Sequence, residues 1–202
     1  MRILITGFGP FPGAPFNPSA ALANALARRR RPALAGIDRV VHVFATTYAS
    51  VDRDLPKLFA QKPKPDIVLM FGVAGRRHQL CIETRARNAV SLLFPDASGR
   101  KPRHGVIKLR GPATLMGNAP FARLAGVAGT RLSRDAGRYL CNYVYWRALE
   151  HARGTRPLVQ FVHIPPVSSK PRRRRSGKPP TLAQLLKPAE AILIALIAAS
   201  RH

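Results

Sequence analysis

A cysteine that does chemistry needs a thiol biased toward thiolate and a base within reach. The chain has two cysteines, Cys81 and Cys141. Cys141 sits in the stretch Asp135-Ala136-Gly137-Arg138-Tyr139-Leu140-Cys141-Asn142, between an apolar segment (124–132) and an amphipathic run (143–151). Asp135 is a helix-capping type, because its carboxylate accepts the orphan N–H groups of a first turn. Such a cap predicts a helix starting near Ala136, with Cys141 about two turns in, where part of the helix dipole favours thiolate. A lone cysteine in an apolar helix also has a plain reading, as a buried and inert side chain.

Two further residues bear on the choice. His163 ends the apolar run 158–163 and is followed by Ile164-Pro165-Pro166. An imidazole at the end of a buried strand stands where a base can work, and equally where a capped structural histidine would sit. Glu83 is one of only nine Asp and Glu residues, and it follows the glycine-bearing stretch 72–79. Thiolate, imidazole and an orienting carboxylate are the parts of a cysteine hydrolase. Whether these three meet is decided by the fold.

The elements that must position them alternate between strand and helix. Arg2–Thr6 is a short apolar run with β-branched residues and reads as a buried first strand. Arg39–Ala45 reads as a second strand, Asp66–Phe71 as a central one, and Leu158–His163 as another. Asn17 followed by Pro18 is an N-cap with proline at the first helical position, predicting a helix to about Arg30, before Pro32. Ser50–Gln61 reads as a helix with Pro56 its weak point, and Phe121–Val127 as a short one. Residues 127–132 then lead into the cysteine helix. Thr181 can cap a last helix, whose apolar positions Leu182, Leu185, Leu186, Ala189, Ile192 and Leu193 keep helical period; Pro188 should kink or restart it. Leu80–Val90 is extended and of mixed polarity, and Phe94–Lys108 is a turn-rich surface excursion. This alternation predicts an α/β fold with a mostly parallel sheet. Sites in such sheets form at the carboxyl ends of strands, so the loops 7–13 and 72–79 and the segment after the next parallel strand are where to look.

Gly7-Phe8-Gly9 in the first of these loops has the start of a dinucleotide fingerprint, but Pro10 and Phe11 follow where a helix should begin, which rejects the nucleotide reading. Phe8 and Phe11 either wall an apolar pocket or pack in the core. Pro166–Pro180 is rich in proline, serine and basic residues, with little to bury, and reads as a mobile loop.

At 202 residues the chain fits one large domain with a full core. Two cysteines are too few for a disulfide framework and point to a reducing compartment, the cytoplasm. The apolar run after Arg2 is too short for a signal peptide, and the run Ala191–Ala199 is too short to span a bilayer. The net charge of +25 is extreme, with 34 Lys and Arg against 9 Asp and Glu. Clusters at Arg28–Arg31 and Arg172–Arg175 do not interleave with aromatics, and no zinc-finger, RNA-recognition or KH signature accompanies them. Specific nucleic-acid binding is therefore not expected, whereas weak adhesion to polyanions at low salt is.

Four stretches taken together resemble the pyroglutamyl-peptidase I (pyrrolidone-carboxylate peptidase) family. They are Ile5-Thr6-Gly7-Phe8-Gly9-Pro10-Phe11 with Asn17-Pro18-Ser19; Gly72-Val73-Ala74-Gly75-Arg76 with Glu83 and Asn88; Ala136 through Asn142; and Phe161-Val162-His163-Ile164-Pro165. They fall in the family's order and cover nearly the whole chain. The resemblance implies one domain over residues 1–202, a three-layer α/β/α fold with a twisted, mostly parallel mixed sheet. It implies Cys141 as nucleophile, His163 as base and Glu83 as its orienting partner. It implies Phe8 and Phe11 as apolar walls of a pyroglutamyl pocket, with Asn17 and Val73 also at the substrate. The implied reaction removes N-terminal pyroglutamate (5-oxoproline) from peptides, without metal or cofactor, and the implied assembly is a homo-oligomer, dimer or tetramer. Many members carry an arginine just before the Pro-Asp turn that here is Pro95-Asp96; the corresponding residue is Leu93. If that arginine polarises the substrate carbonyl, activity here is reduced or the role passes to Arg85 or Arg87. The alternatives are a homologue of the same fold with altered or lost activity, and a basic nucleic-acid-associated protein.

Overall fold

The continuous apolar runs become strands because both of their faces are covered. In the computed structural model, which describes residues 1–11, 15–155, 157–167 and 179–201, the elements in chain order are β1 (Arg2–Phe8), α1 (Pro18–Ala27), β2 (Asp38–Phe44), α2 (Tyr48–Ala60), β3 (Ile67–Val73), β4 (Leu80–Glu83), β5 (Arg85–Arg87), β6 (Thr114–Met116), α3 (Phe121–Ala125), β7 (Thr130–Ser133), α4 (Leu140–Ala152), β8 (Leu158–Ile164) and α5 (Leu182–Ser200). Six strands form one sheet in the order β2-β1-β3-β8-β4-β7, and β5 and β6 form a separate antiparallel ribbon. The strands β2, β1, β3 and β8 are mutually parallel; β4 runs antiparallel to β8 and parallel to β7. The sheet is mixed and mostly parallel, as expected.

Alternation along each central strand feeds two cores. In β3, Ile67, Leu69 and Phe71 enter one core, and Val68 and Met70 the other. In β8, Val162 and Ile164 go one way, and Val159 and Phe161 the other. Helices α1 and α5 cover the first face with Leu22, Leu26, Ile192 and Leu196. Helices α2 and α4 cover the second with Val51, Leu55, Tyr145 and Trp146. Each large side chain fully buried in this way contributes about 1.5–3 kcal/mol. Three layers result, and the carboxyl ends of β1, β3 and β8 share one end of the sheet.

Several boundaries differ from the sequence expectation. β1 runs through Gly7 to Phe8, so the loop expected from Gly7 starts later. Gly7 is needed there, since a Cβ would meet the Ser19 carbonyl oxygen at 2.6 Å where α1 begins. Helix α1 stops at Ala27, short of Arg30, with Arg28 as C-cap. Helix α2 begins at Tyr48 because the Thr47 side chain accepts from the Ser50 N–H, and it carries Pro56 inside. Helix α5 likewise runs through Pro188 without restarting; a capping box of Thr181 and Gln184 starts it, and its apolar face holds it on the sheet. The run 191–199 judged alone is short, but the helix containing it has the length and composition of a membrane span. Here Leu185, Ala189, Ile192, Leu193, Leu196 and Ile197 are buried in the first core. Residues 127–132 hold the start of an unforeseen strand, β7, which pairs with β4. Of the basic loop expected at 166–180, residues 168–178, including Arg172–Arg175, lie outside the described residues.

Candidate active site

Strand register sets the first pair. In the β4–β8 ladder Cys81 lies opposite His163, and Glu83 opposite Phe161. The two-residue offset puts His163 and Glu83 diagonally on one face, a separation that a long side chain can close. His163 Nδ1 meets Glu83 Oε1 at 2.8 Å, with Glu83 0% and His163 5% exposed. The other carboxylate oxygen, Oε2, accepts from the Asp135 N–H at 3.1 Å. The Glu83 main chain is fixed as well: its carbonyl accepts from the Tyr145 hydroxyl at 2.9 Å and the Gln160 side-chain amide at 3.1 Å. The imidazole packs edge-on to the Phe161 ring, with centroids 5.0 Å apart.

Helix α4 supplies the thiol, but it starts later than the sequence suggests. Its N-cap is Tyr139, with no side-chain capping bond, and Asp135 does not cap it. Asp135 Oδ1 instead accepts from the Gly137 N–H at 3.0 Å and pairs with Arg87 Nη2 at 2.8 Å. Gly137 has φ 79°, which no right-handed helix contains. Cys141 is therefore the second residue of the helix, inside the first turn, rather than two turns along. There the dipole is felt most, and the N–H groups of Leu140, Cys141 and Asn142 have no carbonyl partner within the helix.

Gly72 near the end of β3 makes room for the sulfur. A Cβ at this position would lie 2.7 Å from Cys141 Sγ and 2.7 Å from Phe161 Cζ. Gly72 is also the register partner of His163. The thiol thus seats over the sheet beside the imidazole. Burial disfavours the imidazolium, but the charge and hydrogen bond of Cys141, then those of Glu83, outweigh it and raise His163 to about 10. Asn142, buried beside Cys141, ties the helix start to the segment after β5. Its side chain accepts from Arg87 N–H at 2.9 Å and donates to the carbonyls of Arg87 at 2.8 Å and Ala89 at 2.9 Å.

A cavity of about 390 Å³ opens beside Cys141, and Phe8, Phe11, Asn17 and Val73 all line it. Phe8 is 4% exposed, so it serves the core as well as the cavity. Phe11 packs edge-on to Tyr139, with centroids 6.0 Å apart. Asn17 has its amide occupied: Oδ1 accepts from Ser19 N–H at 3.1 Å, and Nδ2 donates to the Gly9 carbonyl at 3.1 Å. It therefore holds the phenylalanine loop onto α1. Phe16, Thr46, Tyr139, Pro166 and Val167 also line the cavity and were not singled out from the sequence. Pro166 and Val167 follow β8, so the rule of strand carboxyl ends pointed at them.

Leu93 is 76% exposed and does not line the cavity. Arg85 and Arg87, the two arginines expected as substitutes, have other partners. Arg85 Nε donates to the Arg134 carbonyl at 3.1 Å, Arg87 pairs with Asp135, and both lie outside the cavity lining.

Residues 1–202 match the family model described as pyroglutamyl peptidase. Pyrrolidone-carboxylate peptidase 1 of Ralstonia nicotianae is 32% identical over 176 residues, spanning 81% of this chain and 77% of that protein. Pyrrolidone-carboxylate peptidase of Gloeobacter violaceus is 30% identical over 200 residues, spanning 96% and 95%. Among solved structures, Bacillus amyloliquefaciens pyroglutamyl peptidase I aligns with a TM-score of 0.80 at 25% identity, over 100% of this chain and 97% of that one. Pyrrolidone carboxyl peptidase from Thermococcus litoralis aligns at 0.85 with 24% identity, over 99% and 94%.

Proposed function

The chain belongs to the pyroglutamyl peptidase family, and from that premise we propose that it is a cysteine exopeptidase that removes N-terminal pyroglutamate from peptides. One arrangement carries the reading: His163 held by Glu83 at 2.8 Å, next to a thiol in a helix first turn that opens on an apolar cavity.

The Cys141 thiolate attacks the pyroglutamyl carbonyl carbon, forming the C–S bond. The oxyanion that develops faces the free N–H groups of the α4 first turn. The His163 imidazolium gives its proton to the leaving nitrogen as the C–N bond breaks, which leaves a thioester and a free peptide amine. Neutral His163 then takes a proton from water, whose oxygen attacks the thioester. Pyroglutamate leaves and the thiolate–imidazolium pair returns. Glu83 orients the ring and stabilises its charged form. The lactam is small, flat and neutral, so an apolar cavity admits it. A charged N-terminal amine would lose its hydration there without a partner. The half-buried thiol must stay reduced, which suits the cytoplasm.

The test is release of fluorophore from a pyroglutamyl amide by the reduced protein, with Cys141→Ser alongside. The parent should hydrolyse it, and the variant should lose about a thousandfold or more. A folded, reduced parent that releases nothing overturns the reading. It would favour a homologue with altered or lost activity, for which the exposed Leu93 is the motive. Leu93→Arg is then the first residue to restore.

A further inference from the structure

We propose that this peptidase selects pyroglutamyl peptides whose second residue carries a carboxylate; the inference rests on the peptidase reading above. His163 protonates the leaving nitrogen, so the second residue departs on the imidazole side of Cys141, away from the apolar cavity. Two loops border that side. The loop after β3 is tied to β8 by the Ala74 N–H, which donates to the Ile164 carbonyl at 2.9 Å. The loop between β7 and α4 is tied to the Glu83 carboxylate by the Asp135 N–H at 3.1 Å. Arg77 joins the two, donating to the Ser133 hydroxyl at 3.3 Å and the Asp135 carbonyl at 3.2 Å.

These loops are cationic. The first carries Arg76 and Arg77, and the second Arg134 and Arg138. The carboxylates close to these loops are engaged: Glu83 with His163 at 2.8 Å, Asp135 with Arg87 at 2.8 Å, and Asp96 with the N–H groups of Tyr48, Ser98 and Arg100. Among the described residues Arg76, Arg134 and Arg138 are exposed and have no ion pair. Among the described residues, by contrast, the cavity lining has no Lys, Arg, Asp or Glu.

Selection therefore divides by position. A pyroglutamyl peptide has no N-terminal charge, so its first formal charge comes from the second residue onward. That residue meets a local surplus of guanidinium groups, whose planar donors fit a carboxylate. Single exposed charges are weak, but several of one sign around a cleft add, and their effect falls with salt.

The experiment compares kcat/KM for three amides, pyroglutamyl-Glu-NH2, pyroglutamyl-Gln-NH2 and pyroglutamyl-Lys-NH2, at low and high ionic strength. Glu and Gln differ in charge and hardly in shape. The expected order is Glu above Gln above Lys, with Glu over Gln about tenfold at low salt and converging at high salt. In Arg76→Gln/Arg138→Gln the Glu-to-Gln ratio should fall toward one. Equal rates for Glu and Gln at low salt overturn the inference, while hydrolysis of the Gln peptide keeps the peptidase reading. A ratio that survives both high salt and the double substitution overturns the assignment to these arginines. Failure of a folded, reduced enzyme on all three peptides sinks the peptidase reading, and this inference with it.

Discussion

Glu83 and Glu190 are two of the chain's nine acidic residues, and both are buried, at 0% and 7% exposed. Glu190 on α5 faces Arg29 at 2.8 Å and Arg31 at 2.6 Å, which follow α1. Burial pushes its carboxyl up, but the hydrogen bonds of Arg31 and Arg29 hold it below the usual range. Among the described residues, the Glu83 carboxylate is in contact with no Lys or Arg. Its partners are an imidazole and one main-chain N–H. The partner makes the difference. Arginine never gives up its proton, so Glu190 fastens one helix to another across the first core. Histidine can give up its proton to a leaving group and take one back from water, so Glu83 holds a group that can change state during turnover.

The comparison can be broken at either carboxylate. Glu83→Gln keeps the shape and removes the charge. We expect kcat/KM on a pyroglutamyl amide to fall about 10²- to 10⁴-fold, with the fold intact by circular dichroism. A fall below tenfold would mean the imidazole is oriented by something else.

Gly72→Ala tests the seat of the sulfur from the other side. Its Cβ would lie 2.7 Å from Cys141 Sγ, so the thiol must move and kcat should drop about 10²-fold. Unchanged kcat would show that the sulfur can work from elsewhere.

Glu190→Gln should reverse the pattern, lowering stability by about 1–3 kcal/mol in urea unfolding and leaving kcat/KM as it was. Its pH dependence has a fixed sign. A carboxyl held below its unfolded pKa, about 4.3, stabilises fully above that value and loses the contribution as pH falls through the folded pKa. The gap between parent and variant should therefore close in acid.

The smallest expected effect is a shift in a pH profile. His163, raised from 6.5 to about 10, keeps its proton through neutral pH. Its stabilising contribution is complete below the unfolded value and is lost as pH rises through the folded one. The alkaline limb of kcat/KM should lie near pH 10 in the parent and move lower in Glu83→Gln, which has lost a favourable charge. A limb that stays in place would remove Glu83 from the electrostatics of the pair.

The same physics explains what could be read before the fold was seen. Strands β3 and β8 are apolar on both faces, so their runs are continuous and unambiguous. β7 is four residues long, with a single partner and Leu132 43% exposed, so it carries no such signal. The start of α4 was misplaced because Asp135 caps a turn at Gly137 as readily as it would cap a helix. Glu83, His163 and Cys141 could be named from residue type and resemblance. Their meeting depends on the antiparallel β4–β8 register and on Gly72, and neither is visible in a list of residues. Phe16, Pro166 and Val167 were missed because loops converge through the strands that launch them, not through their own pattern.

The open sheet has one further consequence. Among the described residues its outer strands, β2 and β7, each have an unpaired edge, and such an edge can recruit a strand from another molecule. β7 is short and bears Arg131, while β2 bears Arg39 and His42. Two copies docking edge to edge would bring arginine against arginine, on molecules of net charge +25. The excess of base thus opposes edge-to-edge stacking, whatever it does at the other end of the sheet.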